Sequence, residues 1–212
     1  MKKYLSMLLC TLAAVSCTHR EAEVQHAFIQ PLLTAQTVTD LNAYVQNATV
    51  PARFTTSDFD WMAGQLPLTV YSEDFYDTVA LHQMAVGDTL LFGGDTIVVR
   101  TIEGDSYLTI NGGIEEGGAD LMACDEGGTY RGVLMDDHST YTELGSVQLP
   151  LSENFTFIDC RINPTDPSDT IRTDQKLYLE NLKDYKTEFY SIDTRVQVED
   201  GVITNITRHW IP

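Results

Sequence analysis

Two regions of the chain differ in the period of their apolar positions. From Ala22 to about Ala63 the period is helical. Val24, Ala27 and Phe28 fall at i, i+3 and i+4 until Pro31 interrupts. Thr37, with Asp40 three residues on, makes a capping-box-like start, and Val38, Leu41, Val45 and Ala48 then form one stripe. Ser57 and Asp60 repeat the capping pattern before Phe59, Met62 and Ala63, which predicts one short helix ended by Gly64. Such a stripe is of the kind that covers a core.

From Leu66 onward the apolar runs are short, rich in β-branched and aromatic residues, and separated by turn residues. Strands are predicted at 66–71, 77–81, 89–92, 96–102, 107–110, 130–135, 146–149, 155–162, 176–179, 186–198 and 202–210. Gly93-Gly94 reads as a hairpin turn and Gly104-Asp105 as the next. No long helical pattern separates the strands, so pairing should be mainly antiparallel. The fold class expected is mainly β: an antiparallel β-sandwich or partly closed barrel with a short N-terminal helical segment. Residues 17–65 would form a tether and short helices, and 66–212 the β domain.

The last hairpin admits two registers. A two-residue loop, Asp200-Gly201, opposes Val198 to Ile203 and Val196 to Asn205, which mixes the faces. A three-residue loop, Glu199-Asp200-Gly201, opposes Val198 to Val202, Val196 to Thr204 and Thr194 to Ile206. The second register gathers Val196, Val198, Val202 and Ile206 on one face and leaves Ile203 on the polar one. It agrees better with period 2, because a one-residue slip reverses every side chain. Upstream, Gly112-Gly113, Gly117-Gly118 and Gly127-Gly128 match neither a dinucleotide fingerprint nor a P-loop. Glu115, Glu116, Asp120, Asp125 and Glu126 among them would repel phosphate. This stretch reads as a mobile glycine-rich excursion between strands.

The first residues carry an address. Met1-Lys2-Lys3 is followed by an apolar stretch to Val15, too short to span a bilayer and arranged as a secretory signal. The stretch ends Ala14-Val15-Ser16-Cys17, which resembles a bacterial lipobox, with Ala14 where Leu is more usual. That resemblance implies a signal peptide over 1–16 and a diacylglycerol thioether on Cys17, a new N-terminus holding three acyl chains. Three chains exceed the two-signal threshold for stable anchoring. Thr18, rather than Asp, follows Cys17; by resemblance to the Gram-negative sorting rule this implies the outer membrane, in its periplasmic or its surface leaflet. With Cys10 lost and Cys17 acylated, Cys124 and Cys160 remain as a candidate disulfide for an oxidising compartment. On the chain-entropy model such a loop contributes roughly 3–4 kcal/mol.

Charge narrows the partners. The 212 residues carry 13 Lys and Arg against 31 Asp and Glu, a net −18. Loss of Lys2 and Lys3 with the signal takes the cations to 11 and the net charge to −20. So acidic a chain lacks the clustered cations that nucleic-acid binding needs. Ten Tyr, 8 Phe and 2 Trp set it apart from a disordered acidic tail.

Candidate chemistry is sparse. Asp136-Asp137-His138-Ser139 has the ingredients of a triad or a metal site, but adjacent residues rarely converge as a triad requires, and the cluster reads as a polar turn. Asp166, Asp169 and Asp174 are weak calcium candidates, in a proline-rich loop without the glycine and terminal glutamate of an EF-hand. No other metal site and no cofactor is expected. Tyr71, Phe75, Tyr76, Tyr141, Tyr185, Phe189 and Tyr190 are the aromatics that could stack on glycans, set against their use in packing.

Four triplets fit Asp-(Ser/Thr)-aliphatic, at Thr78, Thr89, Thr96 and Thr170. They are similar to the O-glycosylation acceptor of exported Bacteroidota proteins; the local alternative is an Asp turn opening a strand. Together with the lipobox they make the chain resemble small outer-membrane lipoproteins of unassigned function from the Bacteroidota, a resemblance that carries no catalytic residue across. The function expected is a non-enzymatic binding or interaction module, held at the membrane by its lipid and meeting a glycan or protein. The alternative is an exported glycan-directed hydrolase using carboxylates distant in sequence.

Overall fold

The computed structural model describes residues 25–60, 62–124, 128–160, 171–174, 188–209 and 211. The chain runs β1 (Phe28–Ile29), α1 (Leu41–Val45), β2 (Thr49–Thr55), β3 (Gln65–Glu73), β4 (Phe75–Asp77) and α2 (Thr78–His82). It continues through β5 (Thr89–Phe92), β6 (Asp95–Val98), β7 (Ile102–Glu103), β8 (Tyr107–Ile110), β9 (Ala119–Ala123) and β10 (Thr129–Val133). It ends with β11 (Tyr141–Asp159), β12 (Ile171–Asp174), β13 (Glu188–Phe189), β14 (Thr194–Glu199) and β15 (Val202–Arg208). The fold is mainly β, as its alternating pattern predicts.

Five strands close on themselves. β2 pairs with β3, β3 with β11, β11 with β15, β15 with β14, and β14 returns to β2. Every pair in the ring is antiparallel except β11 with β15. Counted within the ring, the order is 1-2-3-5-4, a five-stranded Greek-key barrel of the OB type. Its interior is filled by Val50, Ala52, Leu66, Leu68, Val70, Val196, Val198, Ile203 and Ile206, each at most 1% exposed. β12 and β13 extend the ring at β11 and β2.

Between β3 and β11 the chain leaves the barrel and, together with β1, builds a second core. β4, β10, β9, β8 and β7 make one antiparallel sheet, and β1, β5 and β6 a small one. Tyr76, Leu81, Leu90, Ile110 and Leu121 fill the space they enclose. Asp74 stands at the crossing. Its N–H donates to Thr140 O and its carbonyl accepts from Gly132 N. Its Oδ2 accepts from Gly93 N and from Thr140 Oγ1, both at 2.9 Å. The side chain is fully buried, and burial raises its carboxyl pKa, with the nearby polar groups of Thr142 and the bonds from Gly93 and Thr140 opposing.

Several elements differ from the sequence expectation. The helical stripe does pack on the barrel, through Val45 with Val38, Leu41 and Ala48 at its edge. However, its helix has only five residues, and the N-cap is Asp40, which accepts from Ala43 N. Barrel strand β2 occupies part of the region that reads as helical, because Val50, Ala52 and Phe54 alternate inward. Residue 28 opens a strand, and the segment ending at Gly64 is a short 3-10 turn and a bridge from Asp60 to Gln65. Residues 78–82 form a helix, since Asp77 caps Ala80 N. The expected glycine-rich excursion contains β9, a central strand with Ala119 and Leu121 fully buried. Gly118 admits this approach: a Cβ there would lie 1.8 Å from Ile110 O.

The last hairpin takes the two-residue loop, with Val198 opposite Ile203, and so refutes the expected register. Asp200 and Gly201 both have positive φ (51° and 77°), the primed turn that matches strand twist. The faces do not stay mixed, because a β-bulge follows. Gln197 pairs with Asn205 while Val198 pairs with Ile203, leaving Thr204 as the extra residue. Val196 is thereby returned to Ile206, and Ile203, not Val202, enters the core.

Candidate functional site

The outer face of β2, β3 and β11 carries an open groove of about 290 Å³. Register builds its floor. Arg53 lies opposite Thr69, Thr69 opposite Ser146, and Tyr71 opposite Glu143. A bulge between Glu143 and Gly145 brings Glu143 and Ser146 to the same face, although odd spacing would otherwise separate them. Asp58, in the 3-10 turn after β2, and Thr55 make one wall.

Arginine and tyrosine flank this floor. The Arg53 guanidinium sits 6.0 Å from the Tyr190 ring centroid, and Arg53 has no described carboxylate within ion-pair distance. Arg195, on the outer face of β14 opposite Pro51, stacks at 5.3 Å over Tyr141. Its Nη2 donates to the Tyr141 hydroxyl at 2.6 Å, and its Nη1 donates to the carbonyls of Ser191 and Thr194. Burial raises the Tyr141 pKa and the Arg195 charge works against that rise. The Tyr190 hydroxyl donates to the Glu188 carboxylate, which holds the phenol protonated. Donors, acceptors and ring faces therefore stand side by side on one solvent-open surface.

Of the aromatics singled out in the sequence, Tyr71, Tyr141 and Tyr190 reach this face. Tyr76 is fully buried and donates to Leu91 O, and Phe189 stacks on Phe54 at 4.5 Å. Phe75 is half-buried on β4, and Tyr185 lies outside the described residues. Arg53, Thr69, Asp58 and Glu143 were not legible as site residues. The only available signal was their polar place in alternating strands, which every surface strand shares.

The remaining candidates do not converge on the groove. Asp136 and Asp137 take positive φ in the turn between β10 and β11, while Ser139 donates to Glu73 and accepts from Arg131. The cluster is the polar turn that its sequence suggests. Cys124 and Cys160 are both free and half-buried, so the expected disulfide is not formed. Cys124 follows β9 in the second core, whereas Cys160 follows β11 at the barrel, and no local feature draws the two together. Thr170, Asp166 and Asp169 lie outside the described residues, and Asp174 ends β12. Among the described residues no group of three or more His, Cys, Asp or Glu could hold a metal ion. No helix among them is long and apolar enough to cross a membrane. Cys17 precedes the described residues. No family model, curated protein or solved structure matches the chain.

Proposed function

We propose that the protein is a non-enzymatic binding module, anchored at the outer membrane through lipid on Cys17, that takes an oligosaccharide along the groove of its barrel. The observation that carries this reading is the composition of the groove. Tyr71 offers a ring face, Arg53 offers donors, Asp58 and Glu143 offer acceptors, and Thr69 and Ser146 offer hydroxyls. A sugar presents the same alternation of apolar ring face and hydroxyl edge. By fold-level analogy, OB-type barrels commonly bind oligosaccharides or oligonucleotides on this face. The net charge of −18 favours the uncharged ligand of the two.

The test is a panel of neutral and acidic oligosaccharides titrated against the full chain, with Tyr71→Ala and Arg53→Ala alongside. Loss of a stacked ring should weaken binding about tenfold. Absence of glycan binding, or binding that both variants leave intact, would sink the proposal.

The hydrolase reading keeps one observation in its favour, since Asp58 and Glu143 line the same groove. Both are exposed, however, and a general acid needs burial to hold its proton near neutral pH. Release of shorter sugars from the same panel, abolished by Glu143→Gln, would favour this reading instead.

A further inference from the structure

The small sheet β1-β5-β6 buries one face and exposes the other. Ile29, Leu90 and Phe92 point into the second core. On the opposite face, register places Phe28, Thr89 and Val98 in one row across the three strands, with Leu91 and Thr96 as the next pair. Phe28 is 55% exposed and Val98 59% exposed. Val86, 65% exposed, lies in the turn that enters β5, where Gly87 N donates to Val99 O. None of the five face residues carries a charge, in a chain with 31 carboxylates.

We infer that this face lies against the lipid surface and sets how the anchored protein stands on the membrane. The inference rests on the lipid-anchor reading of Cys17. Phe28 follows Cys17 by 11 residues, a reach of at most about 40 Å even when fully extended. The first strand of the sheet is thus held near the bilayer. Tethering gives the face a high effective concentration at that surface, so a modest apolar contact suffices to orient the domain. A zwitterionic lipid surface also fits the charge: it asks for no cations and accepts an uncharged apolar face.

The test places a tryptophan at Val98 (V98W) or, as control, at exposed Gln148 on the barrel (Q148W). Each full mature chain is held on zwitterionic phosphatidylethanolamine–phosphatidylcholine vesicles containing brominated lipid. It is held once by its own acyl chains and once, unacylated, by an N-terminal histidine tag on a chelating lipid. Emission of the unsubstituted protein is subtracted. The expected result, in both arms, is a blue shift and a loss of emission for V98W that Q148W does not show. Equal emission loss in the two variants overturns the orientation. The mass of the native mature chain scores the anchor separately, and the tagged arm reads the face whether or not Cys17 is acylated.

Discussion

Asp74 couples the barrel to the second core, and its chemistry permits a sharp test. The residue is fully buried, with Oδ2 accepting from Gly93 N and Thr140 Oγ1. Its Oδ1 makes no hydrogen bond of ordinary geometry, and neither does the hydroxyl of nearby Thr142. Asp74→Asn keeps an oxygen for Gly93 and Thr140 and turns Oδ1 into a donor that Thr142 Oγ1 can accept. It also removes a buried charge. Asp74→Ala instead strands a buried N–H and a buried hydroxyl, at about 1–3 kcal/mol each. At roughly 2–4 °C per kcal/mol for a chain of this size, the alanine variant should melt about 4–24 °C below wild type.

The pH dependence separates charge from hydrogen bonding. Burial raises the folded pKa of Asp74 above its unfolded value, so between the two the folded state binds more protons. Its contribution to stability is therefore fully present below the unfolded pKa and is lost as pH rises through the folded one. The asparagine variant, which does not titrate, has no such loss. The melting temperature of Asp74→Asn relative to wild type should climb from acid pH through the raised carboxyl range and then level, ending at or above wild type at pH 7. Thermal unfolding from pH 3 to 8 measures it. A gap that does not change with pH, or an asparagine variant as damaged as the alanine one at pH 7, would refute the reasoning.

Two further outcomes follow from packing. Ile203→Ala should cost about 2–5 kcal/mol in denaturant unfolding and Val202→Ala well under half of that, because Ile203 is fully buried and Val202 only half-buried. The opposite ranking would restore the three-residue loop. Alkylation of the mature protein without reductant should label both Cys124 and Cys160, with Cys160 the slower, since burial and then Asp159 raise its pKa. Protection of both until reductant is added would show a bridge.

Where sequence pattern agreed with structure, the agreement was local. Thr89–Phe92 and Tyr107–Ile110 are strands with the predicted bounds, and Gly93-Gly94 is the predicted turn, because positive φ at both residues is what two glycines supply. What pattern could not reach was non-local. Val50, Ala52 and Phe54 alternate as a strand, but they stand between two helix-like patterns, the stripe ending at Ala48 and the capping pattern at Ser57, and three alternating positions are too few to set them apart. The bulge at Thr204 is set by the turn and by inward packing together, and period 2 alone selects the wrong loop. Ring closure depends on β11 pairing in parallel with β15, across a sequence separation that no spacing rule encodes. The groove inherits that blindness. Arg53, Thr69 and Ser146 meet only because β2, β3 and β11 are neighbours.

The Asp-Thr triplets show how one motif can split once neighbours are known. Asp77 caps α2 through Ala80 N, Asp88 accepts from Ala27 N and Ala85 N, and Asp95 opens β6 after the glycine turn. Three carboxylates thus have three structural tasks, which is enough to account for the spelling without a glycan. The threonines are not equivalent either. Thr78 donates to Gly128 O, which occupies the oxygen a glycan would need. Thr89 sits at the centre of the row between Phe28 and Val98, so a glycan on it and a lipid-facing sheet exclude one another. Thr96 is exposed beside the hairpin and has the most room of the three. A sugar found on Thr89 or on Thr96 by site-resolved mass spectrometry would therefore turn the β1-β5-β6 face away from the membrane, because both threonines stand on that face.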